Sequence, residues 1–147
     1  MLILPPDSKE FIELLNSNSV RYVIVGGYAV AYHGYPRFTG DIDLFVEMSE
    51  DNAGKIEKAL NAFGFSGLGL CAADFLQFDT IIQLGYPPNR IDILTSISGV
   101  AFAEAWEGHE TVEVEGITLR FIGKQALLAN KSASGRPKDI ADLDALI

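Results

Sequence analysis

Three aspartates stand in this sequence at positions that otherwise read as buried strand. Asp41 and Asp43 open the run "DIDLFVE", and Asp92 sits between Ile91 and Ile93 in "NRIDILTS". Side chains alternate across a strand, so Asp41 and Asp43 project from one face while Ile42 and Leu44 project from the other. Two carboxylates about 4 Å apart repel by roughly 4 kcal/mol at an effective dielectric of 20. A divalent cation with oxygen ligands offsets that repulsion, and Mg²⁺ takes one or two carboxylates together with substrate phosphates. If the strand around Asp92 lies beside residues 41–47, all three converge. Three carboxylates suit two Mg²⁺ ions, one on an attacking hydroxyl and one on departing phosphates.

Upstream, Gly26 and Gly27 follow the β-branched run "RYVIV" and precede an apolar helical stretch. Glycines at a strand-to-helix turn let backbone N–H groups approach a phosphate, and a helix start adds partial positive charge. Without the aspartates, the pair would read as a tight turn and nothing more. The lone Cys71 permits no internal disulfide and no cysteine metal cluster, and is expected as a small buried apolar residue.

The elements that must position these groups follow from pattern. Residues 8–16 carry an apolar stripe of a short helix, 21–25 form a strand, and 28–33 form a helix closed by Gly34. "YPRFTG" is a loop, 41–47 a second strand, and 51–63 an amphipathic helix ended by Gly64. "TIIQLG" and "RIDILTS" read as a hairpin across "YPPN", and 99–107 as a helix. "TVEVEGITLRFI" reads as two short strands turning at Glu115-Gly116, followed by helices in "KQALLANKSA" and "KDIADLDALI". One α+β domain over residues 1–147, with a mixed sheet and helices packed on it, accommodates this order.

Composition narrows the class. The 147 residues are enough for one proper core. With 48% hydrophobic residues and a mean hydropathy of +0.20, an exposed apolar patch for a partner is expected. No apolar run approaches the ~20 residues of a membrane span and the start lacks a signal peptide's pattern, so the cytoplasm is the expected compartment and no membrane partner is expected. The net charge of −9 opposes broad nucleic-acid binding. Its distribution is uneven, however: Arg120, Lys124, Lys131, Arg136 and Lys138 fall in a stretch without any acid. That stretch reads as a basic face for phosphate or as a solvated helix surface.

The order Gly-Gly, thirteen intervening residues, Asp-Ile-Asp-Leu, then a later Asp on another strand resembles the nucleotidyltransferase superfamily that includes DNA polymerase beta. Within it, "GGYAVAYHGYPRFTGDIDLF" with "GRPKDIADLDAL" resembles the minimal-domain AbiEii-type nucleotidyltransferases of toxin–antitoxin systems, from about residue 20 onward. The resemblance implies a nucleotidyltransferase fold and transfer of a nucleoside monophosphate from an NTP, releasing pyrophosphate. It implies that Asp41, Asp43 and Asp92 bind the metals, that Asp92 helps deprotonate the acceptor, and that Gly26 and Gly27 contact the triphosphate.

Arg37 and Thr39 match the family's Arg-x-Thr-x-Asp-x-Asp pattern, with Arg37 on phosphates or paired to a carboxylate. Lys131, Arg136 and Lys138 are candidates for the triphosphate or the acceptor, with Asp139 and Asp142 as helix partners of the basic residues. His33, before a helix-ending glycine, reads as structural. Longer relatives add a helical domain that binds the acceptor, so a homodimer, an antitoxin or another partner protein is expected to complete the cleft.

Two acceptor classes follow: RNA, such as a tRNA end, and a small molecule, as in the antibiotic resistance enzymes of the superfamily. RNA requires the segment from Arg120 to Lys138 to be exposed beside the cleft. An acidic cleft favours a cationic aminoglycoside. A non-catalytic nucleotide-binding or interaction module is a further alternative, and it predicts that a lysine or arginine fills the space among the aspartates. A metal-dependent nuclease ranks below these because of the glycine turn.

Overall fold

The computed structural model describes residues 4–35, 40–86 and 89–147. Its six strands, β1 (Tyr22–Val25), β2 (Ile42–Val46), β3 (Ile81–Leu84), β4 (Ile91–Leu94), β5 (Glu110–Val114) and β6 (Ile117–Phe121), form one mixed sheet in the order β3-β4-β2-β1-β6-β5. Six helices accompany it: α1 (Pro6–Ser17), α2 (Gly26–Tyr32), α3 (Glu50–Ala62), α4 (Phe102–Glu107), α5 (Lys124–Ser134) and α6 (Pro137–Leu146). The α+β class and the mixed sheet read from the sequence are therefore the observed ones. No helix is long and apolar enough to cross a membrane among the described residues.

The centre of the sheet is built from the most β-branched runs. Every residue of β1 is buried, and β2 buries Ile42, Leu44, Phe45 and Val46 around a partly exposed Asp43. β1 pairs antiparallel with β2 and parallel with β6, whereas β2 pairs parallel with β4. The end of β1 therefore meets the beginnings of β2 and β4 at one edge of the sheet. Both aspartate-bearing segments start there, immediately beside the Gly26-Gly27 turn.

The helices cover the sheet by amphipathic matching. α3 begins at Ser49, whose hydroxyl accepts the Asn52 N–H at 3.2 Å, and buries Ala53, Ile56, Ala59 and Leu60. α1 buries Phe11, Ile12 and Leu15, and the Phe11 and Phe63 rings meet at 5.4 Å. At the end of the chain, Gly135 closes α5 with φ +61, and Pro137 opens α6 where its missing N–H costs nothing.

Helix bounds and one burial differ from expectation, α4 beginning at Phe102 rather than at residue 99, and one stretch without an assigned element is structured. α2 starts at Gly26 itself rather than Tyr28. Two short 3₁₀ turns, Ser66–Leu68 and Ala72–Leu76, occupy a stretch without a clear sequence pattern. Cys71, expected buried, is exposed at the second of these, where its backbone N–H donates to Asp74 Oδ2 at 2.8 Å.

Candidate active site

The parallel pairing of β2 with β4 sets Asp43 opposite Asp92 in register. The two side chains leave the same face of neighbouring strands, while Ile42, Leu44, Ile91 and Ile93 fill the core. Asp41, two residues before Asp43, faces the same way. The convergence anticipated from sequence thus has a definite cause: β4 is β2's neighbour, and no register slip separates the charges.

Burial raises the Asp43 carboxyl first. The charge of Asp92, a hydrogen bond with it, and the charge of Asp41 raise it further, with Lys138 opposing, and the group is pushed up to about 7. Asp92, 7% exposed, is held differently. Arg90 Nε donates to its Oδ1 at 2.7 Å and Nη2 to its Oδ2 at 3.1 Å. The same Nη2 lies 3.2 Å from Asp41 Oδ2, and the Arg90 backbone N–H donates to Asp41 Oδ1 at 2.9 Å. Arg90 therefore bridges two of the three carboxylates, the kind of contact that the non-catalytic alternative anticipated, at a residue the sequence reading did not name. An arginine between two aspartates at separations of 49 and two residues gives no periodic signal.

Gly26 takes φ +68, and a Cβ built on it would lie 2.1 Å from Asp43 Oδ2. Its bare Cα thus makes room for the Asp43 carboxylate, in addition to forming the turn. A polar pocket of about 320 Å³ lies over this group, lined by Gly27, Gly40, Asp41, Asp43, Arg90, Asp92, Arg136 and Lys138. A second pocket, of about 650 Å³, shares Asp43 and Arg136 with the first, is lined also by Gly26 and Lys131, and continues along Phe78, Ile81, Leu94, Ser96 and Asn130.

As oxygen donors around a surplus of negative charge, the three carboxylates suit a hard divalent cation. Among the described residues, however, no three His, Cys, Asp or Glu side chains are gathered into a ready cage. The Arg90 contacts direct oxygens of Asp41 and Asp92 onto a guanidinium.

Residues 7–146 match the family model described as "Nucleotidyltransferase of unknown function (DUF6036)". The chain belongs to that family. This nucleotidyltransferase-family fold also appears in solved structures of low identity. A Thermotoga maritima protein assigned as a nucleotidyltransferase superposes with TM-score 0.63 at 17% identity, over 97% of this chain and 93% of that one. An antigenic nucleotidyltransferase-like protein from Paracoccidioides brasiliensis gives 0.59 at 16%, covering 97% and 77%. ANT(2")-Ia in complex with adenylyl-2"-tobramycin gives 0.55 at 15%, covering 93% and 83%. No curated protein matches this chain in sequence.

The remaining residues singled out in this nucleotidyltransferase-family chain divide by position. Gly27, Arg136 and Lys138 line the polar pocket with the aspartates. Arg37 and Thr39 lie outside the described residues. Lys131 shows the pairing with Asp139 and Asp142 that the sequence offers as its alternative: it is only 3% exposed, and its ammonium lies 3.2 Å from Asp139 Oδ1 and 3.1 Å from Asp142 Oδ2. It joins α5 to α6 and lines the larger pocket rather than the polar one. Asp139 also accepts from Arg136 Nε at 2.7 Å and from the Arg136 backbone N–H at 3.2 Å. Burial opposes ionisation of Asp139, but the hydrogen bonds from Arg136 and Lys131 outweigh it and hold the carboxyl well below the usual range.

The basic stretch is therefore not one continuous face. Arg120 Nη1 donates to Asn16 Oδ1 at 2.8 Å and lies against the Tyr22 and Trp106 rings. Lys131 is buried, and only Arg136 and Lys138 of the five border the polar pocket. His33 is structural as read: its Nε2 lies 2.7 Å from the Ile122 carbonyl.

Proposed function

We propose that this chain transfers a nucleoside monophosphate from an NTP to a hydroxyl acceptor, releasing pyrophosphate. The observation that carries the reading is the in-register pair Asp43 and Asp92, set beside Gly26 in a polar pocket that Arg136 and Lys138 also line. In the reaction the acceptor oxygen bonds to the α-phosphorus as the bond from that phosphorus to the bridging oxygen breaks. Asp41, Asp43 and Asp92 would hold Mg²⁺, two ions by the family resemblance, which when bound neutralise the phosphates and lower the pKa of the acceptor hydroxyl.

The chain's own groups do the positioning. The Gly27 backbone lies against the pocket, Arg136 and Lys138 supply positive charge for phosphate oxygens, and Asp92 takes the hydroxyl proton. The pocket of about 650 Å³, opening from Asp43, receives the acceptor.

A small hydroxylated acceptor is favoured over RNA. Arg120 is occupied within the fold, and the larger pocket combines Phe78 and Ile81 with two acids, Asp43 and Asp79, and two bases, Lys131 and Arg136, a mixed lining of a size suited to a small polar molecule. ANT(2")-Ia, similar in fold, is a structure containing adenylyl-2"-tobramycin. The AbiEii-type toxin reading rests on the motif resemblance and needs an RNA-facing basic surface that these positions do not support.

The test supplies each NTP labelled at the α-phosphate, with Mg²⁺, to a panel of aminoglycosides and, separately, to total RNA. Label moving to a small hydroxylated acceptor, and lost in Asp43→Asn, is the expected result. Label moving only to RNA would overturn the acceptor assignment, and absence of any transfer or pyrophosphate release would overturn the activity.

A further inference from the structure

We propose that Arg90 is a resident counter-ion of the carboxylate site, one that must swing away before a metal–nucleotide is taken up. The inference rests on the nucleotidyl-transfer reading and adds a residue to it. Both Asp92 oxygens accept from the guanidinium, at 2.7 and 3.1 Å, and Asp41 Oδ2 lies 3.2 Å from it. These are the lone pairs that a cation needs. Guanidinium and metal are therefore competitors for the same atoms.

The local structure permits the exchange without refolding. The Arg90 backbone is pinned at both groups: its N–H donates to Asp41 Oδ1 at 2.9 Å and its carbonyl accepts the Ile42 N–H at 3.0 Å. The side chain is about a quarter exposed and itself lines the polar pocket. Rotation of that side chain moves the charge out while β2 and β4 keep their register. Once released, the guanidinium stays beside the pocket, where a triphosphate attracts it.

Uptake is then coupled. The anionic nucleotide stabilises Arg90 in the released position, and the vacated carboxylates take the metal. Metal alone must displace Arg90 without that compensation, so it binds more weakly than metal with nucleotide. By linkage the coupling is reciprocal. If the bridged state holds the site for about nine-tenths of the time, the apparent metal affinity falls about tenfold below that of the open site.

The experiment is calorimetric titration of Mn²⁺, alone and with a non-hydrolysable NTP analogue, into wild type, Arg90→Gln, Arg90→Lys and Asp43→Asn. Arg90→Gln is expected to bind Mn²⁺ alone about tenfold more tightly than wild type and to lose most of the gain from nucleotide. Its melting temperature without metal is expected to fall and to be restored by Mn²⁺, because the carboxylates have lost their counter-ion. Arg90→Lys retains a charge but lacks the fork, and is expected between the two; if Arg90→Gln fails to fold, tighter binding by Arg90→Lys supports the proposal. Asp43-dependent binding in wild type with equal or weaker binding in the Arg90 variants would overturn the counter-ion role and leave the nucleotidyl-transfer reading standing. Absence of Asp43-dependent binding in every protein would overturn both.

Discussion

The Asp43 carboxylate occupies the space that a side chain at Gly26 would require. A Cβ at residue 26 would lie 2.1 Å from Asp43 Oδ2 and 3.0 Å from its carboxyl carbon, and the backbone there has φ +68. The glycine turn and the first aspartate pair are thus one structural unit, joined through the β1–β2 register that sets Val25 opposite Asp43.

Gly26→Ala tests that unit. The left-handed backbone alone costs an L-residue about 1–2 kcal/mol, and the methyl group displaces the Asp43 carboxylate in addition. Urea denaturation is expected to show a loss of at least that size, with weaker Mg²⁺–NTP binding. Unchanged stability and affinity would show that Asp43 does not depend on the bare Cα.

The charge on Asp43 predicts a pH dependence. Its carboxyl titrates near 7 in the folded protein, raised by burial and then by Asp92 and Asp41, against about 3.9 in an unfolded chain. Between those values the folded state binds a proton that the unfolded state lacks, so this group's stabilising contribution is complete below about 4 and is lost as pH rises through about 7. Metal-free wild type is therefore expected to lose stability relative to Asp43→Asn as pH is raised from about 5 to about 8. Parallel melting curves for the two proteins over that range would contradict the assignment.

Lys131 is predicted to act on stability and not on nucleotide. Removing one member of a buried ion pair leaves an uncompensated charge, at a cost of about 3–5 kcal/mol. Lys131→Met is expected to unfold at markedly lower denaturant concentration, because Asp139 and Asp142 lose their shared ammonium. A variant of native stability with impaired NTP binding would return Lys131 to the phosphate site.

Lys138 should show the opposite pattern. It is exposed on α6 and lines the polar pocket, where its charge opposes the raised pKa of Asp43. Lys138→Gln is expected to change stability by no more than about 0.5 kcal/mol while weakening Mg²⁺–NTP binding several-fold, most clearly at low salt. Full affinity at low salt would remove Lys138 from the site.

Much of this arrangement was legible in local pattern. Asp41, Asp43 and Asp92 stood out because each breaks an apolar strand, and the alternation of neighbours fixed the face from which they project. Their convergence needed the β2–β4 pairing, which is a long-range choice that strand periodicity does not specify. The buried position of Lys131 was hidden for a related reason. Asp139 and Asp142 are legible as partners of the basic residues, but how completely the next helix folds back over the lysine is a tertiary choice that local pattern does not specify. Arg90 escaped notice because its function as a bridge depends on two strands meeting, not on its own neighbours. Cys71 was misread from residue type alone, in a segment whose 3₁₀ turns follow no apolar period.

The most direct measurement is calorimetric titration of each of the four NTPs with Mg²⁺ into wild type, with Asp43→Asn alongside. The account predicts saturable binding of at least one NTP that requires both Mg²⁺ and the Asp43 carboxylate. Binding of no NTP by wild type, or binding that is indifferent to Mg²⁺ and to Asp43→Asn, would contradict the central claim that these aspartates form a metal–nucleotide site.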